Sequence, residues 1–383
     1  MNRIIVTIVF CIGWMVCCAQ TKPVAVGAEA TNEYFPLLKG KRIAVLSNHT
    51  GMVGNEHLVD LLKRKDFNVV CIFSPEHGFR GNADAGEHVS SSVDEKTGIP
   101  ILSLYDGDTG KPSVKSMSLF DVLVFDLQDV GLRFYTYYAT MVRMMDACAE
   151  SQKKMIILDR PNPNGHYVDG PILDMKYKSG VGWLPIPVVH GMTLGELAMM
   201  VNGEKWLPEG RICDISVIKC KNYTHQTMYQ LPIPPSPNLP TMKAVYMYPS
   251  TCYFEATPVS LGRGTDKPFL VYGHPNMLSY SFSFTPHSIP GAKNPPQLNK
   301  ICYGVDLSNL SDSDIWKKGV DLTYLIDAYT NLNMGDHFFR SFFEKLIGVS
   351  YVREMIKDGC SADEIKKKWS DDVEKFKKQR APY

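Results

Sequence analysis

The chain has 383 residues, 44% of them hydrophobic and 21% charged, with 29 glycines and 25 prolines. This is the composition of a folded globular protein long enough for about two domains. A formal net charge of +1 provides no field for nucleic acid or an anionic membrane surface, and there is neither a basic stripe interleaved with aromatics nor a Walker phosphate loop.

The first twenty residues differ from the rest. Arg3 precedes an apolar stretch over 4–16, followed by Cys17-Cys18-Ala19-Gln20. A positive start, a short hydrophobic segment and small residues make an export signal, too short for a stable membrane span. Cleavage after Ala19 or lipid attachment at Cys17 or Cys18 are the two exits. The lipobox match is poor, so plain export to the periplasm is the expectation. Setting aside Cys11, Cys17 and Cys18 leaves an odd, scattered set of cysteines with no CxxC pair, so neither a disulfide framework nor a zinc site is indicated. Cys71 and Cys148 lie in apolar runs and read as core residues; Cys213 to Cys220 is the one spacing open to a bridge.

From Lys41 the pattern alternates strand and helix. Residues 42–47 read as a strand, 57–65 as a helix with Leu58, Leu61 and Leu62 on one face, and 69–73 as a second strand. Further strands are expected over 100–104, 121–127, 155–158 and 212–218. Helices are expected over 139–151 and from Thr193, where Glu196 completes a capping box. Near-continuous apolar strands separated by helices indicate an α/β fold built on a parallel, Rossmann-like sheet covered on both faces. Five prolines between Pro232 and Pro240 then make an extended connector unsuited to helix. Beyond it, aromatic-rich irregular segments are expected over 246–254 and 272–286, and helices from Leu322, the last opening at Ser361. Residues 24–225 are read as the catalytic domain and 226–383 as a smaller α+β domain.

Polar clusters follow four of these strands. Strand one ends in Ser47-Asn48-His49-Thr50-Gly51, and strand two in Ser74-Pro75-Glu76-His77-Gly78-Phe79-Arg80-Gly81. The strand over 121–127 runs into Asp126-Leu127-Gln128-Asp129-Val130-Gly131-Leu132-Arg133 and then Phe134-Tyr135-Thr136-Tyr137-Tyr138. The strand over 155–158 ends in Asp159-Arg160-Pro161-Asn162. In a parallel sheet all four face one edge, where open α/β sheets bind ligands. Carboxylates, amides, guanidiniums and aromatic faces together suit a polyhydroxylated ligand. Each cluster also has a plain structural reading. Asp126, Asp129 and Arg133, or Asp159 and Arg160, are equally suited to salt-bridge networks. Asn48 and Asn162 are suited to Asx turns, His49 to a turn, and His190 to a hydrogen-bonded core position. His49, His77 and His190 with Asp126 lack the HxH or HxxxH spacing of a metal site, and no metal or other cofactor is expected.

Glu76 is the candidate for proton transfer. A carboxyl in a Pro/Gly loop beside Phe79 can be desolvated and so held protonated, whereas His77 and Arg80 push the other way. Glu255, among Tyr253, Phe254 and Ala256, is a second candidate. The stretch Ser260-Leu261-Gly262-Arg263-Gly264-Thr265-Asp266 supplies an arginine loop for a carboxylate-bearing substrate.

At these residues the chain resembles the NamZ-type exo-β-N-acetylmuramidases, a glycoside hydrolase family long described only as a domain of unknown function. The motifs are SNHTG, FSPEHGFRG, FDLQDVGLRFYTY, LDRPNPNG, IPVVHGMTLGELA and SLGRGTDKPF, in order from about Lys41 to the C-terminus. The resemblance implies a Rossmann-like domain, a smaller C-terminal domain and a site in the cleft between them. It also implies release of terminal N-acetylmuramic acid (MurNAc) from the non-reducing ends of peptidoglycan fragments, with Glu76 as the catalytic acid. The family's FEGT reads FEAT here, with Ala256 in place of glycine. Asp126, Glu255 or the substrate's own acetamido group would act opposite Glu76. Arg80, Arg133, Arg160 or Arg263 would meet the lactyl carboxylate of MurNAc. The remaining polar positions, Asn48, His49, His77, Gln128, Asp129, Tyr137, Asn162 and His190, are expected to contact the sugar. A non-catalytic sugar-binding protein and a metal-dependent hydrolase are the competing readings. A dinucleotide oxidoreductase is disfavoured, because no GxGxxG follows the first strand.

Overall fold

The computed structural model describes residues 22–75, 79, 92–104 and 111–383. The export-signal residues, Glu76, His77 and Arg80 lie outside the described residues. The chain forms a seven-stranded sheet in the order β5-β6-β4-β1-β7-β8-β9. Its members are β1 (Ile43–Ser47), β4 (Val69–Ser74), β5 (Ser92–Val93), β6 (Pro100–Ser103), β7 (Val122–Asp126), β8 (Lys154–Leu158) and β9 (Ile215–Ile218). All run parallel except the edge strand β5. The short strands β2 (Met52–Val53) and β3 (Glu56–His57) form a separate hairpin after β1.

Burial on both faces explains why the strands read as continuous apolar runs. In β1, Ile43 and Val45 join a core with Tyr34 and Leu38 of α1 (Thr31–Leu38) and with Leu58 and Leu62 of α2 (Leu58–Arg64). The alternate residues Ala44 and Leu46 join the opposite core. That core takes in Met141 and Met145 of α4 (Tyr137–Glu150), which follows the short α3 (Val114–Ser118), and Leu197 and Val201 of α5 (Leu194–Gly203). A two-residue side-chain period produces this division directly. Thr193 caps α5 reciprocally with Glu196, as its sequence indicates.

The second core continues without a break into the C-terminal region. There a three-stranded antiparallel sheet, ordered β10-β12-β11, is built from β10 (Val271–His274), β11 (Phe282–Phe284) and β12 (Cys302–Asp306). Around it pack α6 (Met242–Thr251), α7 (Asp312–Lys318), α8 (Thr323–Leu332), α9 (Phe343–Ile347), α10 (Tyr351–Lys357) and α11 (Ala362–Arg380), the last capped by Ser361. The expectation of irregular structure over 246–254 is corrected. Residues 242–251 form α6 despite Pro249, and Cys252–Ala256 continue as a 3-10 turn. Thr241 caps the helix, and burial of Ala244 through Thr251 outweighs the proline penalty. Part of 272–286 is likewise strand rather than irregular. Cys213 and Cys220 are free thiols, so the bridge between them is not formed.

Candidate active site

Chain order reverses between β1 and β7: the polypeptide winds outward from β1 to β4 and β6, then returns to the other side of β1 and winds through β7, β8 and β9. That reversal is the switch point where sheets of this type hold ligands at their carboxyl edge. Here the crevice is filled by the chain itself. Arg160, after β8, reaches across to Asp126 at the end of β7, with Nε to Oδ1 2.5 Å and Nη2 to Oδ2 3.0 Å, and donates to the Met52 carbonyl at 2.9 Å. Asp126 has no exposed surface. Asn48, also fully buried, accepts from the Thr50 amide and hydroxyl and donates to the Tyr137 hydroxyl at 2.8 Å. Gln128 donates to the carbonyls of Asp129 and Pro161.

The open space lies one layer further out. The proline connector crosses the sheet edge and is held there by the strand-end clusters. His49 donates from Nε2 to the Pro234 carbonyl at 2.9 Å, and the Tyr135 hydroxyl to the Pro235 carbonyl at 2.8 Å. Burial pushes the Tyr135 phenol well above its ordinary pKa, so it remains a neutral donor. Between the connector and the C-terminal region is a cavity of about 170 Å³. Tyr135, Tyr137, Ser236, Asn238, Glu255 and Arg263 give it polar atoms, and Phe134, Tyr248 and Phe269 an aromatic wall with ring centroids 4.9 and 4.6 Å apart in sequence. Glu255 Oε1 accepts from Arg263 Nη2 at 2.6 Å, and both side chains keep about a quarter of their surface exposed. Ala256 is fully buried in its 3-10 turn with no left-handed backbone, so alanine fits where the family has glycine.

The sequence-derived candidates therefore separate into groups. Tyr137, Glu255 and Arg263 line the cavity. Asn48, His49 and Gln128 brace the layer behind it. Asp126 and Arg160, expected to act opposite Glu76 and to meet a carboxylate, are paired with one another and almost fully buried. Arg133 is likewise engaged within the fold. It is fully buried, donating from Nη1 to the carbonyls of Pro171 and Ile186 and from Nη2 to those of Leu346 and Ile347, and burial pushes its pKa down to about 10. Asn162 closes an Asx turn onto Asn164 and donates to the Met192 carbonyl. His190 is fully buried, its Nδ1 accepting from the Met192 amide. Asp129 accepts from the Gly131 amide, and burial raises its pKa to about 7. Asp159 does not pair with Arg160 but takes the Thr193 hydroxyl and Gly195 amide at the start of α5.

Ser236, Asn238, Tyr248 and Phe269 are cavity residues that sequence reasoning did not single out. Ser236 and Asn238 sit among prolines and read as linker. Their signal was the interruption of a stiff stretch by two hydrogen-bonding side chains; the Ser236 hydroxyl accepts from the Asn238 main-chain N–H, and Asn238 Nδ2 donates to the Gly291 carbonyl.

The family model for the N-terminal region of the exo-β-N-acetylmuramidase NamZ matches residues 43–243, and that for its C-terminal region matches 246–383. The peptidoglycan β-N-acetylmuramidase NamZ of Bacillus subtilis (strain 168) is 38% identical over 371 residues, covering 92% of this chain and 88% of that protein. Two crystal structures of DUF1343 family proteins from Bacteroides fragilis NCTC 9343 share the fold. One is 71% identical with a TM-score of 0.89 and the other 29% identical with a TM-score of 0.77; each alignment covers 94% of this chain and 98% of the other. With both family models matched in order along almost the whole described length, the chain belongs to the NamZ exo-β-N-acetylmuramidase family.

Proposed function

We infer that this protein is an exo-acting glycosidase that releases terminal β-1,4-linked MurNAc from the non-reducing ends of peptidoglycan fragments. The observation that carries the reading is the cavity beneath the proline connector, lined by an aromatic wall, by Ser236 and Asn238 and by an ion-paired carboxylate. Aromatic faces and fixed hydrogen-bonding groups are what a pyranose ring needs, and cleavage of its glycosidic bond develops positive charge that a nearby carboxylate stabilises. The named activity of the Bacillus subtilis relative supports the same substrate class.

In this reading Glu76, two residues beyond the end of β4, protonates the leaving oxygen. Glu255 or the substrate's acetamido group serves the anomeric carbon. The apolar, lysine-free stretch after Arg3 supports export, and with it a periplasmic site of action. No helix among the described residues is long and apolar enough to cross a membrane.

Incubation of residues 21–383 with MurNAc-β-1,4-GlcNAc, followed by mass spectrometry, tests this reading. Free MurNAc is expected with or without chelator. Glu76→Gln is expected to reduce turnover by at least about 100-fold, the scale of lost general-acid catalysis. A folded Glu76→Gln protein with full activity would remove Glu76 from the mechanism.

A further inference from the structure

Four arginines are available in the sequence to read a carboxylate. Arg133 spends both terminal nitrogens on four main-chain carbonyls, and Arg160 is held by Asp126 and the Met52 carbonyl. Arg80 lies outside the described residues. Arg263 differs from the first two in two ways. It lines the cavity, and among the described residues its only hydrogen bond goes from Nη2 to Glu255. A guanidinium carries five N–H donors, so most of its hydrogen-bonding capacity is uncommitted.

The loop around it is built to hold that position. Gly262 and Gly264 flank Arg263 with φ of +83° and +81°, and a Cβ on either would lie 2.5 Å or less from a main-chain carbonyl oxygen. Only glycine fits such a backbone without strain. Below the guanidinium, 5.3 Å from it, is the ring of Phe269, itself at φ +63°, a conformation that bulky residues adopt only when their surroundings impose it. Phe269 is held there by its amide to Leu261 and by its carbonyl, which accepts from the Thr251 hydroxyl. Glu255 fixes the guanidinium from the side. A cation fastened on three sides and left open on the cavity side is preorganised for an anion.

Resting on the muramidase reading above, we propose that Arg263 is the specificity-determining residue that binds the lactyl carboxylate of MurNAc through its uncommitted N–H groups, with Glu255 holding its guanidinium in register. The carboxylate is the feature that separates MurNAc from N-acetylglucosamine, so this contact selects the muramyl sugar. It also disfavours a lactyl group converted to an amide by a stem peptide, which carries no charge at that place.

The test compares 4-nitrophenyl β-glycosides of MurNAc and GlcNAc as substrates, and the two free sugars as calorimetric ligands, for the wild-type protein, Arg263→Gln and Arg263→Lys. The expected result is that the muramyl preference in kcat/KM falls about tenfold or more in Arg263→Gln, the size of one charge-assisted hydrogen bond. Arg263→Lys, which keeps the charge without the planar fork, should fall between. Thermal unfolding confirms that each variant is folded; should Arg263→Gln fail to fold, Arg263→Lys carries the comparison. An unchanged preference, or equal losses on both sugars, overturns the proposal. If the wild type cleaves neither glycoside yet binds MurNAc over GlcNAc in an Arg263-dependent way, the hydrolase reading falls and the recognition stands.

Discussion

The switch point of the sheet and the cavity beneath the proline connector are made of the same residue types, yet they do opposite things. At the switch point, Asp126 and Arg160 bond to one another and to the Met52 carbonyl with almost no exposure. In the cavity, Glu255 and Arg263 form a similar ion pair but retain surface and free donors. The difference is burial. A charge buried with its counter-charge stabilises the fold, whereas one that keeps surface at a cavity wall is available to a ligand. The described residues at the switch point pack against one another, and the open cavity lies further out, against the C-terminal region.

The largest test of this contrast is Asp126→Ala. It leaves Arg160 buried without its counter-charge, at an expected cost of about 3–5 kcal/mol in urea unfolding. Replacing both residues together by apolar ones should recover most of that loss. A variant of full stability but no activity would instead return Asp126 to the reaction.

His190 gives a second test, this time of a residue sunk in the fold. Burial drives its pKa down from 6.5 to about 3, and its Nδ1 already accepts the Met192 amide, so the folded state disfavours protonation. The stability it confers is fully present above pH 6.5 and is lost as the pH falls from there towards 3, because only the unfolded chain takes up the proton. The limiting slope is about 1.4 kcal/mol per pH unit. His190→Gln should flatten unfolding free energy against pH over this acidic range. Parallel curves for the two proteins would show that His190 is not held neutral.

The smallest expected effect belongs to the seam between the two regions. Tyr135→Phe removes one hydrogen bond to the Pro235 carbonyl, worth about 1 kcal/mol in thermal or urea unfolding. Because the connector also forms the cavity roof, kcat/KM should fall modestly as well. If stability drops without any kinetic change, the connector braces the fold and does not shape the site.

Much of the architecture was legible in the chain. The strand runs, the capping box at Thr193 and the final helix cap at Ser361 all stand where local pattern places them. These features depend on neighbours within a few residues, so periodicity and capping chemistry suffice. The assembly of the polar clusters after β1, β7 and β8 at one sheet edge was also legible, because parallel strands place their carboxyl ends together.

What each polar side chain does at that edge was not. Arg133 and Arg263 read alike in sequence as candidate partners for a carboxylate. Arg133 is consumed by carbonyls of Leu346 and Ile347, 213 and 214 residues away, and Arg160 by Asp126 on a neighbouring strand. Helix α6 formed where aromatics and Pro249 suggested irregularity, because burial of its residues was not visible locally. The sequence by itself determined the elements, their order and the edge where function collects. Only the tertiary structure decided which charges were neutralised inside the protein and which remained for a substrate, because partners distant in the chain meet only after folding.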